Sequence, residues 1–248
     1  MTGKHLDSGS AVIPPMEEQA SFWNDWNLRF RKLSQSMDAY QNRQLETAKK
    51  WLSGGGEPMV LEIGCGTGWL TAGLATLGTL VGIDLSNDAI EEARRRGSSA
   101  SFLAGDIVKM DFPGRFDMVI TVDTMAHVPD HAAFIGKVSS VLEPGGIFLL
   151  MTQNSFVWNR SSQLMPLAKG QVRKWPQLAE LGELLTRDFQ IEQVSSIVPA
   201  GDRGILRLMN SRYCAGVLRK LLGAERQQAL YEWLLIGKEL VIVARRKG

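Results

Sequence analysis

The sequence predicts an α/β fold in which helices cover both faces of a mostly parallel sheet, and two observations predict it. An apolar run at residues 60–63 leads into Gly-Cys-Gly-Thr-Gly at residues 64–68, and a helical pattern follows. A second apolar run, at residues 81–83, ends in Asp84, twenty positions after Gly64. A strand, a glycine turn, a helix and a second strand in this order are typical of the first crevice of a doubly wound sheet.

The glycine turn predicts a nucleoside site. Alternating glycines remove the Cβ atoms that would keep a ligand away from the backbone, and they allow positive φ angles. Asp84, at the tip of the next strand, can accept hydrogen bonds from both ribose hydroxyls. A dinucleotide is disfavoured, because Trp69 stands where the G-x-G-x-x-G motif has its third glycine.

Residues 62–68, Glu-Ile-Gly-Cys-Gly-Thr-Gly, resemble motif I of the class I S-adenosylmethionine (SAM) methyltransferases. Residues 104–107, 116–123 and 142–150 are similar, in order, to later segments of the same family. The resemblance implies a Rossmann-like, seven-stranded, mostly parallel sheet with an antiparallel last strand. It also implies SAM as cofactor and S-adenosylhomocysteine (SAH) as product. The residues implied to line the cofactor are Glu62, Gly64, Cys65, Gly66, Asp84, Leu85, Asp106, Ile107 and Val122.

Residues 122–134 are most similar to the ubiquinone-biosynthesis O-methyltransferase subgroup, which carries E-x-x-E-H-V-x-D here. Asp123 replaces the first glutamate and Ala126 replaces the second. In some members these acids and the histidine are associated with a divalent metal. Since Ala126 removes one ligand, we predict no metal.

His127 is the candidate catalytic residue, because it directly follows the predicted fourth strand, at the edge where ligands bind. A histidine suits general-base catalysis on a hydroxyl at neutral pH. The alternative is that His127 packs at a helix entrance and bonds to the backbone. His5 lies in the predicted leader, and His131 is expected at the surface, one turn further along the next helix.

Arg43 is a candidate cofactor ligand from the segment before the sheet. In the same subgroup, an arginine near this offset from the glycine turn pairs with the methionine carboxylate of SAM, a task that suits a bidentate guanidinium. The alternative is an ordinary exposed arginine on a helix.

The remaining chain is predicted to flank a SAM-binding core at residues 57–154. Residues 1–18 are expected to be a flexible leader, and residues 19–56 a helical cap whose aromatic stripe mainly packs: Phe22, Trp23, Trp26 and Phe30. Residues 155–248 form the substrate side. There we expect a loop to residue 174, a helix at 176–185, strands at 190–198 and 239–244, and between the strands a helical lid insertion at about 200–236.

Composition bounds the function. The 248 residues suffice for one domain, and 28 basic against 26 acidic residues give no electrostatic case for nucleic acid. Two cysteines predict no disulfide framework, which favours a reducing cytoplasm. No apolar run is long enough to span a bilayer, although the basic amphipathic insertion allows contact with a membrane surface.

We therefore predict a SAM-dependent methyltransferase that acts on a small organic acceptor, with a hydroxyl oxygen favoured by the subgroup resemblance. Methylation of nitrogen or carbon, on a small molecule or a modified nucleoside, is the alternative within the class. A SAM-binding regulator without catalytic activity is the alternative from another class.

Overall fold

The computed structural model describes residues 13–31, 39–52 and 56–248. Its helices are α1 (Met16–Arg31), α2 (Ala39–Leu52), α3 (Trp69–Leu74), α4 (Asn87–Arg95), α5 (His131–Val141), α6 (Ser155–Trp158), α7 (Leu178–Leu185), α8 (Gly204–Met209), α9 (Arg212–Leu222) and α10 (Ala224–Trp233). Its strands are β1 (Met59–Ile63), β2 (Thr79–Asp84), β3 (Ser101–Ala104), β4 (Phe116–Val122), β5 (Leu142–Gln153), β6 (Phe189–Pro199) and β7 (Gly237–Arg246).

The strands form one seven-stranded sheet in the order β3-β2-β1-β4-β5-β7-β6. Neighbours from β3 to β5 run parallel, whereas β7 is antiparallel to both β5 and β6. The predicted fold class and the antiparallel last strand are confirmed. Because the carboxyl ends of β1 to β4 meet at one edge, the loops after these strands come together.

Apolar side chains fill both faces of the sheet. On one face, Phe134 of α5 and Leu181 of α7 pack against Leu61 and Phe148. On the other, Leu45 of α2 and Leu70 of α3 pack against Val60 and other strand residues. The central strands are buried on both sides, which explains why their sequences are nearly continuous apolar runs.

The sequence predicts Ser86 and Asp130 as the N-caps of two helices, and both residues occupy these positions in the structure. The Ser86 hydroxyl accepts a hydrogen bond from the Ala89 amide at 3.1 Å, and Asp130 accepts one from the Ala133 amide at 2.9 Å. Each side chain thus satisfies an amide that has no partner within the first turn of its helix.

Several boundaries differ from the predictions. Helix α1 begins at Met16, inside the predicted leader, whose residues 1–12 lie outside the described chain. The sequence pattern predicts a helix that ends at Gly78 and a strand that begins at residue 147, whereas helix α3 ends at Leu74 after six residues and β5 begins at Leu142. The β5 difference reflects an irregular pairing near Phe116 that admits the Pro-Gly-Gly turn into the strand. The helical pattern also predicts a second cap helix from about Met37 to Trp51; Met37 lies outside the described residues, and α2 is described from Ala39 to Leu52.

The predicted insertion consists of α8, α9 and α10, which lie between the ends of β6 and β7. Within the described residues, no helix is long and apolar enough to cross a membrane.

Candidate functional site

In the turn after β1, the backbone at positions 64 and 66 requires glycine. Gly64 and Gly66 have φ angles of +78° and +52°. A Cβ on Gly64 would lie 1.8 Å from Oγ1 of Thr124, whereas a Cβ on Gly66 would meet only Oδ1 of Asn27, at 3.6 Å. The first glycine therefore allows close packing of the turn, and the second leaves its outer side open.

Asp84 holds the turn from the end of β2. Its Oδ2 accepts a hydrogen bond from the Gly66 amide at 2.8 Å, and its Oδ1 accepts one from the Ser86 amide at 2.9 Å. Burial raises the pKa of Asp84, while the bonds from the Ser86, Gly66 and Leu85 amides oppose this increase. Because each carboxylate oxygen has two lone pairs, Asp84 retains the capacity to accept further hydrogen bonds from a ligand.

The loop after β3 lies beside Asp84. The Gly105 amide donates to the Asp84 carbonyl at 2.9 Å, which joins the two loops. Asp106 begins the following turn, since its Oδ1 accepts from the Val108 amide at 3.0 Å. Ile107 is buried in the core, and Leu85 is partly exposed.

Glu62 and Cys65 turn their side chains away from the open side of the turn. The buried Glu62 carboxyl accepts a hydrogen bond from the Thr71 hydroxyl of α3, and burial raises its pKa to about 7. The Cys65 thiol packs among Ile90, Ala93 and Phe102, where burial raises its pKa. Of Cys65, only the backbone thus faces a ligand on the turn. The Glu62 side chain is held beneath the turn by its hydrogen bond with Thr71.

Helix α1 closes over these loops. The Ser86 hydroxyl donates to Oδ1 of Asn24 at 2.6 Å, and Asn27 faces Gly66. The Trp23 ring meets the His127 ring edge-on, with centroids 4.7 Å apart. Sequence reasoning missed both asparagines, because nothing in a helical pattern indicates which loop the helix will cover.

His127 ends a 3₁₀ turn at residues 125–127, directly after β4. Its Nδ1 lies 2.6 Å from the Val172 carbonyl, and since a carbonyl only accepts, Nδ1 carries the hydrogen. Burial lowers the pKa of His127, so the neutral ring is favoured. In that ring Nε2 has a lone pair, which is the form that a general base requires.

A group of polar side chains, most of which the sequence did not single out, lies at the same edge of the sheet. It is formed by residues of α2, of the end of β4 and of β7. Tyr40 donates to Oδ2 of Asp123 at 3.1 Å, and Gln44 donates to both carboxylate oxygens of Glu239 at 3.1 Å. Burial raises the pKa of Asp123 to about 6, and burial together with the charge of Asp123 raises that of Glu239. Among the described residues, Asp123 Oδ1 is buried without a hydrogen-bond partner, and the backbone of Asp123 has a φ of +56°.

Arg43 lies near this group on α2, where its guanidinium pairs with Glu232 of α10. A second contact, to Glu46, measures 3.4 Å, and Nε of Arg43 is buried with no partner in the part of the chain that the structure describes. The structure therefore joins Arg43 to the insertion. Val122 is partly buried against the core on the α2 side of the sheet.

The expectation that His131 lies at the surface is wrong. Its side chain is buried, with 3% of its area exposed, and burial lowers its pKa. The physical reason is that α7 packs against α5, and Lys174 and Glu180 lie close enough to His131 to affect its pKa. Across residues 13–31, 39–52 and 56–248, no cluster of three or more histidine, cysteine or acidic side chains is arranged to hold a metal ion.

Comparisons with a family model and with curated relatives both identify methyltransferases. A family model described as a methyltransferase domain matches residues 57–207. The ubiquinone biosynthesis O-methyltransferase of Thiobacillus denitrificans is 32% identical over 152 residues, which cover 58% of this chain and 63% of that enzyme. The match thus spans less than two thirds of that relative.

Solved structures share the fold. The SAM-dependent methyltransferase from Mesorhizobium loti aligns with a TM-score of 0.59 and 22% identity, covering 81% of this chain and 96% of that one. The magnesium protoporphyrin IX methyltransferase from Synechocystis with bound SAH aligns with a TM-score of 0.63 and 16% identity, covering 92% and 98%. At these identities, the likeness concerns the fold alone.

Proposed function

Because this chain belongs to the family of SAM-dependent methyltransferases, we propose that it transfers a methyl group to a hydroxyl oxygen of a small organic acceptor. The relative from Thiobacillus denitrificans is named an O-methyltransferase, which supports oxygen as the acceptor atom. The neutral, base-competent His127 carries the proposal, because a general base accelerates transfer to a hydroxyl by removing its proton.

The residues of the glycine turn fit the cofactor of this family. Gly66 leaves open space on the turn, and Asp84 has free lone pairs for the two ribose hydroxyls. Asp106 lies in the adjoining loop, where it would meet the adenine. Arg43 has a buried Nε with no partner within residues 13–31, 39–52 and 56–248, and it would pair with the cofactor carboxylate once Glu232 withdraws.

When bound, SAM supplies a methyl group made electrophilic by its sulfonium. The task of this chain is then to hold the acceptor oxygen in line with that methyl group and to exclude water. Nε2 of His127 takes the hydroxyl proton while Nδ1–H remains bonded to the Val172 carbonyl, which fixes the ring. Trp23, packed edge-on against His127, keeps solvent away from the ring.

Two variants test the role of His127 with a screen of phenols and other hydroxyl compounds and with labelled SAM. His127→Ala removes the base, and His127→Asn keeps an N–H that can bond to Val172 but offers no base. We expect both to lower turnover by about a hundredfold or more at pH 7, with little change in SAM affinity. The loss should shrink at high pH, where the acceptor ionises by itself.

The pH profile adds an independent test. Because the pKa of His127 lies below its ordinary value of 6.5, turnover of the unmodified protein should hold as the pH falls through 6.5 and decline only below it. Near-normal turnover of His127→Asn would contradict the general-base role. If only His127→Ala failed, and failed by unfolding, the hydrogen bond to Val172 would be structural.

An amine is a second candidate acceptor, supported by the buried acid Asp123 at the same edge. Its pKa of about 6 leaves it mostly ionised at neutral pH, so it would attract a cationic substrate, whereas the raised pKa of Glu239 favours the neutral acid. The screen should therefore include amines, and with an amine acceptor the effect of His127→Asn should nearly disappear at high pH, where the free amine is already a nucleophile.

A further inference from the structure

The insertion carries a row of exposed apolar side chains on α8 and α9, which we call its outer face. The row consists of Ile205, Leu208, Tyr213, Val217 and Leu221, which are 55%, 58%, 81%, 43% and 75% exposed. Leu208, Tyr213 and Val217 line one shallow groove of about 350 Å³, so the row is continuous between the two helices. A continuous apolar face of this kind marks an interaction site.

The sequence of α9 separates apolar from basic side chains. Tyr213, Val217 and Leu221 recur at four-residue intervals and therefore share one side of the helix. Arg212 and Arg219 fall on the other side, and Lys220 lies at the boundary. None of the residues of α9 is buried, so the amphipathic pattern does not serve the core of the protein.

The opposite side of the insertion is already anchored. Leu206 is buried together with Tyr231 and Ile236, and Leu218 packs against this cluster. The Tyr231 hydroxyl donates to the Met209 carbonyl at 3.0 Å, which ties α10 to the end of α8. The outer face is therefore held in place by contacts that do not involve its own residues.

The charged side chains of α8 and α9 all have one sign. Residues 203–223 contain five basic side chains and no acidic one, while the whole chain has 28 basic and 26 acidic residues. The basic side chains, all exposed, are Arg203, Arg207, Arg212, Arg219 and Lys220. Long basic side chains beside apolar ones can reach lipid phosphates while the apolar side chains enter the acyl boundary.

We propose that the outer face of the insertion binds the surface of an anionic lipid bilayer. An isologous dimer through this face would bring two such basic clusters together, which like charges oppose. A membrane with anionic headgroups offers the complementary charge and an apolar layer at once. The same insertion pairs with Arg43 of α2 through Glu232. The part of the candidate site that lies beside the insertion would therefore be the part nearest to the bilayer.

Vesicle sedimentation with the full chain tests the proposal. The protein should sediment with vesicles of phosphatidylcholine mixed with phosphatidylglycerol, bind far more weakly to phosphatidylcholine alone, and be released by added salt. Equal binding to the two kinds of vesicle, or no binding to either, would overturn the proposal. This readout does not depend on methyl transfer, so it stands apart from the proposed activity.

Variants locate the surface. Arg212→Glu/Lys220→Glu should weaken binding to the anionic vesicles by about 30-fold or more, because each basic residue near such a surface contributes a factor of about five. Arg115→Glu/Arg187→Glu makes the same change in net charge at exposed positions outside the insertion and should bind as the unmodified protein does. Equal weakening by both pairs would mean that net charge alone acts, and would contradict a defined face.

The apolar contribution is tested separately. Leu221→Asp should weaken binding, whereas Leu178→Asp, at an exposed position on α7, should not. Thermal unfolding and SAH binding confirm that each variant is folded. Light scattering that revealed a dimer abolished by Leu221→Asp, without vesicle binding, would assign the face to a second copy and refute the membrane proposal.

Discussion

At the scale of single residues, buried acids distinguish this site from an ordinary sheet edge. Glu62 lies within β1 and has the Thr71 hydroxyl as its hydrogen-bond donor. The hydrogen bonds from the hydroxyl and the backbone of Thr71 do not replace the water that a carboxylate loses, so the neutral acid is favoured and the pKa rises to about 7. Asp123, with a pKa of about 6, follows the same rule at the end of β4.

The Glu62 carboxyl should make stability depend on pH. Its folded pKa of about 7 exceeds the ordinary 4.5, so its contribution is complete below pH 4.5 and is lost as the pH rises through 7. The free energy of unfolding should therefore fall between pH 5 and pH 8. In Glu62→Gln, the decrease in the free energy of unfolding between pH 5 and pH 8 should be smaller by about 2–3 kcal/mol than in the unmodified protein. Urea unfolding at the two pH values measures this difference.

Glu57→Gln is the matched control, because Glu57 is exposed just before β1. It should leave the pH dependence unchanged. A Glu62→Gln variant with the same pH dependence as the unmodified protein would mean that Glu62 stays ionised when buried.

At the scale of elements, the insertion is attached to the cap by few contacts. The ion pair between Arg43 of α2 and Glu232 of α10 joins the two, and both side chains are partly exposed. Asn210 donates to the Ala200 carbonyl at 2.6 Å, which fixes the insertion to the end of β6. Its movement as a lid remains a prediction, and the ion pair is the contact with the cap that would have to open.

Glu232→Gln should loosen the insertion. A partly exposed ion pair contributes about 0.2–1 kcal/mol, so amide exchange in residues 200–236 should become up to about fivefold faster, with β4 unchanged. Hydrogen exchange by mass spectrometry measures both regions. Glu225→Gln, on the same helix, is the control, and equal acceleration by the two variants would exclude a specific role for the pair.

At the scale of the whole molecule, the site is assembled by topology. The glycine turn, Asp84, Asp106 and His127 follow four different strands, whose parallel carboxyl ends meet at one edge. Helix α1 then covers these loops through Asn24 and Trp23. A ligand bound between α1 and the loops would hold together parts of the chain that are distant in sequence.

SAH should therefore stabilise the entire domain. At a hundred times its dissociation constant, a ligand of the native state adds about 2.7 kcal/mol, which corresponds to a rise in Tm of about 5–10 °C for a chain of this size. NADH should produce no rise. Asp84→Asn should lower SAH affinity by about 1.5–3 kcal/mol, the value of charge-assisted bonds to the ribose.

Asp88→Asn, on the neighbouring helix α4, should keep the full thermal shift. Stabilisation by NADH without stabilisation by SAH would refute the cofactor. An unchanged affinity of Asp84→Asn would instead refute the role of this carboxylate.

The sequence by itself determined the fold and the cofactor turn, because these depend on local patterns. The alternating glycines, the acid twenty positions after Gly64 and the caps Ser86 and Asp130 act within a few residues of themselves. Apolar runs separated by helical patterns require a layered sheet whatever else the chain does. The family resemblance supplied the antiparallel end of the sheet.

Only the tertiary structure decided which side chains meet across the site. Tyr40, Gln44 and Glu239 come from segments about 200 residues apart, and no periodicity relates them. The burial of His131 and the bond from His127 to Val172 depend on how a helix and a loop pack over the 3₁₀ turn. Hydrogen bonding and burial act through space, so the protonation states that matter for function follow from packing and not from the order of residues.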